Sequence, residues 1–368
     1  DQVALFAGIT RYHKLIERTD YLGSVLNQAA THLLSVTPGP VVLSIPYNVQ
    51  KELVDASILE QIAFARTGCE PVVPDEYIDR SLALIRESER PLSLAGYGCI
   101  RAGAQAVLAS ISERLNIPVT SSMKAKGAVD ERSALALGSL GVTSGGYAMR
   151  YLEQEADLAI VLGAGFNERT SYVWDKKLLA GKKLIQVDNN AQQLQKVFRA
   201  DLALQADLGA YLGALDAAIR QQDIPARAPV DVAGFISAAQ PEIDDAGERI
   251  FNRQFDHVRA FYRWLEQQFP EGLVMFDDNI VFAQNFYRVS GRDRFCPNTG
   301  ISSLGHAIPA AIGAACATGK PLFAMIGDGG FHMCAMEIMT AVNYGFALNV
   351  VLFNNDTMGL IRKNQHQQ

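Results

Sequence analysis

Short unbroken apolar runs alternate along this chain with longer stretches in which apolar residues recur every three or four positions. The runs at 41–45, 92–95, 118–121, 158–162, 184–187, 273–276, 322–326 and 348–353 are too short for helices. Being apolar at successive positions, they predict strands buried on both faces, as in parallel sheets. Helical periodicity fills the gaps. It predicts helices over 22–35, after Asp75 with Ile78, Leu82 and Ile85 on one face and Asp75 as the cap, over 251–269, and over 331–344 with Ala335, Met339 and Val342 on one face. Strands alternating with helices in this way define an α/β protein of doubly wound parallel sheets.

The periodicity fades twice. Over 51–74, Pro71 and Pro74 bracket an extended piece; over 222–250, Pro, Ala and Asp crowd the chain. Both stretches read as linkers. They leave residues 1–50 as the end of a first α/β domain, 75–221 as a middle domain and 251–368 as a last, incomplete one.

Composition narrows the function classes. Among 368 residues, 49% are hydrophobic and 20% charged, enough for several ordinary cores. The net charge of −6 offers no basic footprint for nucleic acid. The longest apolar candidate, 301–318, is broken by polar residues, Gly and Pro, so no membrane span or signal sequence is expected. Cys69, Cys99, Cys296, Cys316 and Cys334 are scattered without CxxC spacing. They suit reduced residues of a cytoplasmic protein better than a disulfide framework or a zinc site.

The chemistry concentrates near the C-terminus. Gly327-Asp328-Gly329-Gly330 closes one predicted strand and Asn354-Asn355 closes the next, with room for one helix between them. A strand–helix–strand unit is a right-handed crossover, which puts both closing motifs at the same sheet edge. Asp328 offers a charged oxygen, Asn355 a neutral one and Thr357 a backbone carbonyl, a donor set for Mg²⁺ already held by phosphates. Gly329 and Gly330 lack Cβ atoms, so phosphate oxygens can approach their N–H groups. A GDG alone is also met in ordinary strand-to-helix turns; the second motif in the right context is what points to a metal–diphosphate site.

GDGGF, Glu337, the strand LNVVLFNN and its continuation DTMGLIR resemble the signature of thiamine-diphosphate-dependent enzymes, within them the acetolactate synthase and 2-oxo-acid decarboxylase group. Further blocks occur in the family's order. PGPVVLSIPYNVQ resembles the end of its pyrimidine-binding domain. IPVTSSMKAKGAVDE, ADLAIVLGAGFNE and KLIQVDNN resemble its middle domain, and ISSLGHAIPAAIGAA the start of its diphosphate-binding domain. Through these blocks the resemblance implies cofactor contacts at Asn279, Ser302, Leu304, Gly327, Gly329 and Gly330, and Mg²⁺ ligands at Asp328, Asn355 and Thr357. Leu304 stands where the family props its cofactor into a bent shape. Asp277-Asp278-Asn279 stands where relatives often carry Gln-His. Asn279 is able to donate to phosphate, whereas Asp278 is not unless protonated or metal-bound.

The resemblance implies decarboxylation of a 2-oxo acid with transfer of the acyl unit to a second carbonyl acceptor. The open alternatives are decarboxylation without ligation and a catalytically silent assembly protein. The activating glutamate of the family is expected upstream of Asp1, in a longer parent; Glu17 does not match its context. His306 and His332 are candidates for proton transfer, each also explained by a hydrogen bond at a helix start. A homodimer or homotetramer is implied. FAD is allowed on the middle domain near Gly163-Ala164-Gly165 and Asp188-Asn189-Asn190. Against it, flavin-binding members carry Arg-Phe-Asp-Asp-Arg where this chain has Gly165-Phe166-Asn167-Glu168-Arg169. Gly96, Gly98 and Gly103 miss the dinucleotide fingerprint spacing and read as a βα turn.

Overall fold

The computed structural model describes residues 1–35, 37–62, 72–141, 144–168, 170–171, 174–245, 255–300 and 302–367. Cys69, Pro71, Arg169, Phe251 and Ile301, all used in the sequence argument, lie outside the described residues. Contacts divide the chain into two units, Asp1–Val72 and Val73–Gln368. In the first, β1 (Tyr12–Leu15) and β2 (Val41–Ser44) pair in parallel beside the helix Leu22–Leu34, around Ile16, Val25 and Val49.

The second unit contains two parallel sheets. The larger comprises β3 (Pro91–Ala95), β4 (Val119–Ser122), β5 (Ala136–Leu140), β6 (Leu158–Leu162), β7 (Lys183–Asp188) and β8 (Leu202–Gln205), in the order β5-β4-β3-β6-β7-β8. The chain winds outward from β3, then reverses at β6, which is the doubly wound arrangement. Every residue of β3 and β6 is buried, as expected for strands covered on both faces. Ile78, Leu82 and Ile85 of the helix Asp75–Glu87 are buried against one side. That helix is capped by Pro74 without a side-chain bond, so Asp75 is its first residue and not its cap.

The smaller sheet comprises β9 (Val274–Asp277), β10 (Arg294–Pro297), β11 (Leu322–Gly327) and β12 (Asn349–Phe353), in the order β10-β9-β11-β12. Along β11 the faces alternate. Phe323 and Met325 join the cluster around Tyr262 and Leu265 of the helix Asp256–Gln268; Ala324 and Ile326 pack on Ala307, Ile308 and Ala311 of the helix Ala307–Ala315.

Two expectations change. The stretch 222–250, read as a linker, carries a helix at Val232–Asp245. The single helix expected over 331–344 is Asp328–Cys334, a 3₁₀ turn at Ala335–Glu337 and Ile338–Tyr344. Its buried side is set by Cys334 and Ala341, with Ile338 packed beside them, while Met339 and Val342 are exposed. Periodicity finds an apolar face without saying what covers it. No helix among the described residues is long and apolar enough to cross a membrane.

Candidate cofactor site

The winding of the smaller sheet reverses between β9 and β11, and the crevice beyond the C-terminal ends of such strands is where open parallel sheets bind ligands. Four tips meet this edge. Gly327 pairs with Phe353, so Asp328 and the Asn354-Asn355 pair leave adjacent parallel strands side by side. Met325 pairs with Asp277, which brings Asp278 and Asn279 in from the other flank. Cys296 and Pro297 of β10 pair with Phe276 and Asp277, and the loop after β10 carries Thr299, Ser302 and Leu304.

Three of the eight non-glycine residues with positive φ among the described residues sit at these tips. Asn279 (φ 69°), Ser302 (φ 58°) and Asp356 (φ 53°) follow β9, β10 and β12 in the left-handed region, which residues other than glycine seldom occupy. Asn354 Oδ1 accepts from the Asp356 N–H at 3.1 Å and Asn355 Oδ1 from the Thr357 N–H at 3.3 Å, so two Asx turns fold the tip of β12. The Thr357 carbonyl accepts from Gly359 N–H at 2.9 Å and retains a second lone pair. Asp328 opens its helix, half-buried.

Leu304 reaches this cluster. A Cβ added to Gly329 would lie 4.0 Å from Leu304 Cδ1 and 3.1 Å from Met358 Cε, so both side chains sit over the open face of that glycine. Gly330 is tighter, since a Cβ there would come within 2.2 Å of Asp278 Oδ2. His306 is the N-cap of the helix Ala307–Ala315, with its ring edge-on to Phe276 at 6.1 Å. His332 lies in the body of the helix Asp328–Cys334 and is exposed, so the expected helix-start position is corrected for it.

Asp278 is where sequence reasoning fell short. Its carboxylate is buried and accepts from the backbone of Gly305 (2.9 Å), His306 (2.8 Å) and Ala307 (3.3 Å). Those backbone donors take up its oxygens at this tip, a role that the sequence argument about phosphate did not consider. Beside it, Asp277 is fully buried and accepts from the Ile280 N–H at 2.6 Å and from Gln284 Nε2 at 2.8 Å. Burial pushes its carboxyl up to about 7, and the Asp278 charge adds to the rise.

These residues fit a phosphate-bearing cofactor. Among the described residues, the buried side-chain atoms that lack a hydrogen-bond partner are Thr299 Oγ1 and Ser302 Oγ, both in the loop after β10, and Tyr262 Oη in the aromatic cluster on the other side of the sheet. Buried hydroxyls without partners are costly, and a ligand at the edge would satisfy the first two. Among the described residues no three of His, Cys, Asp and Glu cluster as a self-sufficient metal cage. A divalent ion at Asp328 would therefore take most of its oxygens from neutral groups and phosphate, as Mg²⁺ does.

The middle domain is less accommodating to a dinucleotide. At its switch point Tyr97, Ser122, Lys124, Phe166, Asn167 and Thr170 line a pocket of about 80 Å³, below the roughly 300 Å³ at which ligand pockets usually begin. Gly98 donates its N–H to Gly163 at 3.1 Å, and Gln193 Oε1 lies 2.1 Å from where a Gly165 Cβ would be. This pocket lends no support to a bound FAD.

The fold and this edge suit a phosphate-bearing cofactor, and comparison with known families says which one. Residues 78–215 match the thiamine pyrophosphate enzyme central domain, and residues 278–368 the thiamine pyrophosphate enzyme C-terminal TPP binding domain. The chain belongs to the thiamine pyrophosphate enzymes. Among curated proteins it is similar to acetolactate synthase of Arthrospira platensis, 28% identical over 97% of this chain and 62% of that protein. It is also similar to acetolactate synthase isozyme 1 large subunit of Escherichia coli K12, 27% identical over 99% of this chain and 63% of that protein. The probable acetolactate synthase large subunit of Methanocaldococcus jannaschii is 27% identical over 98% and 62%. The chain thus spans a little over six-tenths of the length of these relatives.

Proposed function

We propose that this chain carries the diphosphate half of a Mg²⁺- and thiamine-diphosphate-dependent active site. The reaction is decarboxylation of a 2-oxo acid followed by ligation to a second carbonyl, as in acetolactate synthase. The observation that carries the proposal is the pairing of β11 with β12, which sets Asp328 and Asn355 at adjacent tips beside the β9–β11 switch point. In this scheme the Asp328 carboxylate, Asn355 Oδ1 and the Thr357 carbonyl hold Mg²⁺. Gly329, Gly330, Asn279 and the Ser302 hydroxyl donate to the diphosphate; Leu304 supports the bend between the two rings. His306 is the side chain to which the scheme assigns passing a proton to a substrate oxygen. Bound thiamine diphosphate supplies the nucleophilic carbon and the electron sink; the protein supplies position and field.

Ligation is favoured over simple decarboxylation by the names of the relatives, all acetolactate synthases. A multimer is part of the proposal, supported by the apolar side chains exposed along the Asp328–Tyr344 run and by relatives named as large subunits. Cytoplasmic placement is supported by the four cysteines among the described residues, all unpaired, of which Cys99, held at about 12 by burial, is inert.

The test is titration of the full-length protein with thiamine diphosphate, with and without Mg²⁺, followed by carbon dioxide release and product analysis with pyruvate. Metal-dependent binding and a ligated 2-hydroxy-3-oxo acid are expected. Asp328→Ala is expected to weaken metal-dependent binding at least ~100-fold, about 2.7 kcal/mol. Binding that ignores both Mg²⁺ and this substitution would overturn the proposal.

A further inference from the structure

Asp278 stands at a tip where the family often presents Gln-His, yet its carboxylate is turned inward. It is 1% exposed, its own N–H is donated to Met325 at 2.9 Å, and its two oxygens take the N–H groups of Gly305 and His306, with Ala307 at the margin. One side chain thereby closes the first turn of the helix Ala307–Ala315 from another strand, a cap supplied 27 residues upstream of the nearest amide. The same carboxylate lies against Gly330, where a Cβ would meet Oδ2 at 2.2 Å. Leu304, immediately before the captured amides, lies over the neighbouring Gly329.

We infer that Asp278 is a positioning residue, a tether that fastens the Leu304–His306 turn against the Gly329–Gly330 loop and so presets the distance between the cofactor's diphosphate cradle and its apolar support. The inference rests on the proposed cofactor site and adds a residue that touches neither metal nor cofactor. It also explains the geometry at Gly330. A methyl group there displaces the carboxylate, and the turn loses its anchor.

Three variants of the full-length protein test this: Asp278→Asn, Asp278→Ala and Gly330→Ala, the last also combined with Asp278→Ala. Amide exchange without cofactor reports the tether directly. In Asp278→Asn, Gly305 and His306 are expected to exchange at least ~10-fold faster while β9 and β11 keep their protection. With Mg²⁺ and thiamine diphosphate, half-saturation by cofactor is expected to rise at least ~10-fold and kcat at saturation to change less than about 3-fold, with Asp278→Ala worse than Asp278→Asn. Gly330→Ala is expected to loosen the same amides in the wild type and to add little to Asp278→Ala.

Unchanged exchange at Gly305 and His306 in folded Asp278→Asn would overturn the tether. Lost protection with unchanged cofactor half-saturation would overturn its positioning role. Equal effects of Gly330→Ala in both backgrounds would overturn the contact. A wild type that binds no thiamine diphosphate would sink the proposed function instead, and exchange alone would then judge the tether.

Discussion

Two adjacent carboxyls at the end of β9 face different fates. Asp278 is saturated by backbone amides; Asp277 is buried with two donors and a neighbouring charge. Lys126 offsets part of that charge, whereas Tyr262, itself deeply buried, gives Asp277 no hydrogen bond. The folded protein holds the Asp277 proton up to about 7, while the unfolded chain releases it near 3.8. In that interval the native state binds the extra proton, so its contribution to stability is full below the lower value and is lost as pH rises through the upper one. Asp277→Asn keeps the shape and cannot ionise. It is expected to flatten the fall in thermal midpoint between about pH 4 and about pH 7, a difference on the order of a few kcal/mol at the alkaline end. Parallel slopes for the two proteins would show that the carboxyl is not the titrating group. None of this is legible in the string Asp-Asp-Asn, because burial depth and partners 27 residues away decide it. Asp328 and Asn355 were legible, since each follows an apolar run whose strand character needs no distant information.

At the scale of elements, interior strands announced themselves. The run at 158–162 is β6 to the residue, because a strand buried on both faces has no reason to include polar positions. β1, β5, β8 and β10 went unread. Each is an edge strand, and Gly138, Gln205 and Pro297 in the last three give way locally to turn or loop signals that only ladder pairing overrules. The Asp328–Tyr344 run misled in a more informative way. Met333, Met336, Met339 and Val342 recur every third position and stand 60%, 80%, 54% and 64% exposed. On the multimer proposed above, this stripe is the expected association surface. Replacing Met336 and Met339 together by Glu is expected to raise the subunit dissociation constant at least ~10-fold by analytical ultracentrifugation. The subunit's own thermal midpoint should barely move, exposed substitutions costing about 0.5 kcal/mol or less each. An unchanged mass distribution would place the association surface elsewhere.

At the scale of the whole molecule, the unit Val73–Gln368 holds its two sheets together through charged side chains buried between them. Lys126 and Glu131 pair at 2.5 Å, their side chains 4% and 5% exposed. Glu131 also accepts the Val289 N–H at 2.9 Å and donates its own to the Val289 carbonyl at 2.8 Å. Arg132 reaches Asp293 at 3.3 Å and the Arg288 carbonyl at 3.2 Å, while Asp130 accepts from Gly291 at 3.1 Å. The segment that follows β4 is thus bonded along its length to the loop that precedes β10, and the site edge of the smaller sheet inherits its setting from the larger one. Buried pairs contribute little net stability over apolar replacements, but breaking one strands a charge at about 3–5 kcal/mol. Glu131→Ala strands both Lys126 and the Val289 N–H. It is expected to lower unfolding stability by that amount and to raise exchange at Val289 selectively. Lys126→Met with Glu131→Leu removes both charges and should recover most of the loss, leaving only the unpaired amide. Calorimetry of the three proteins decides the matter, and a double variant no more stable than Glu131→Ala would mean that packing, and not the stranded lysine, joins the sheets.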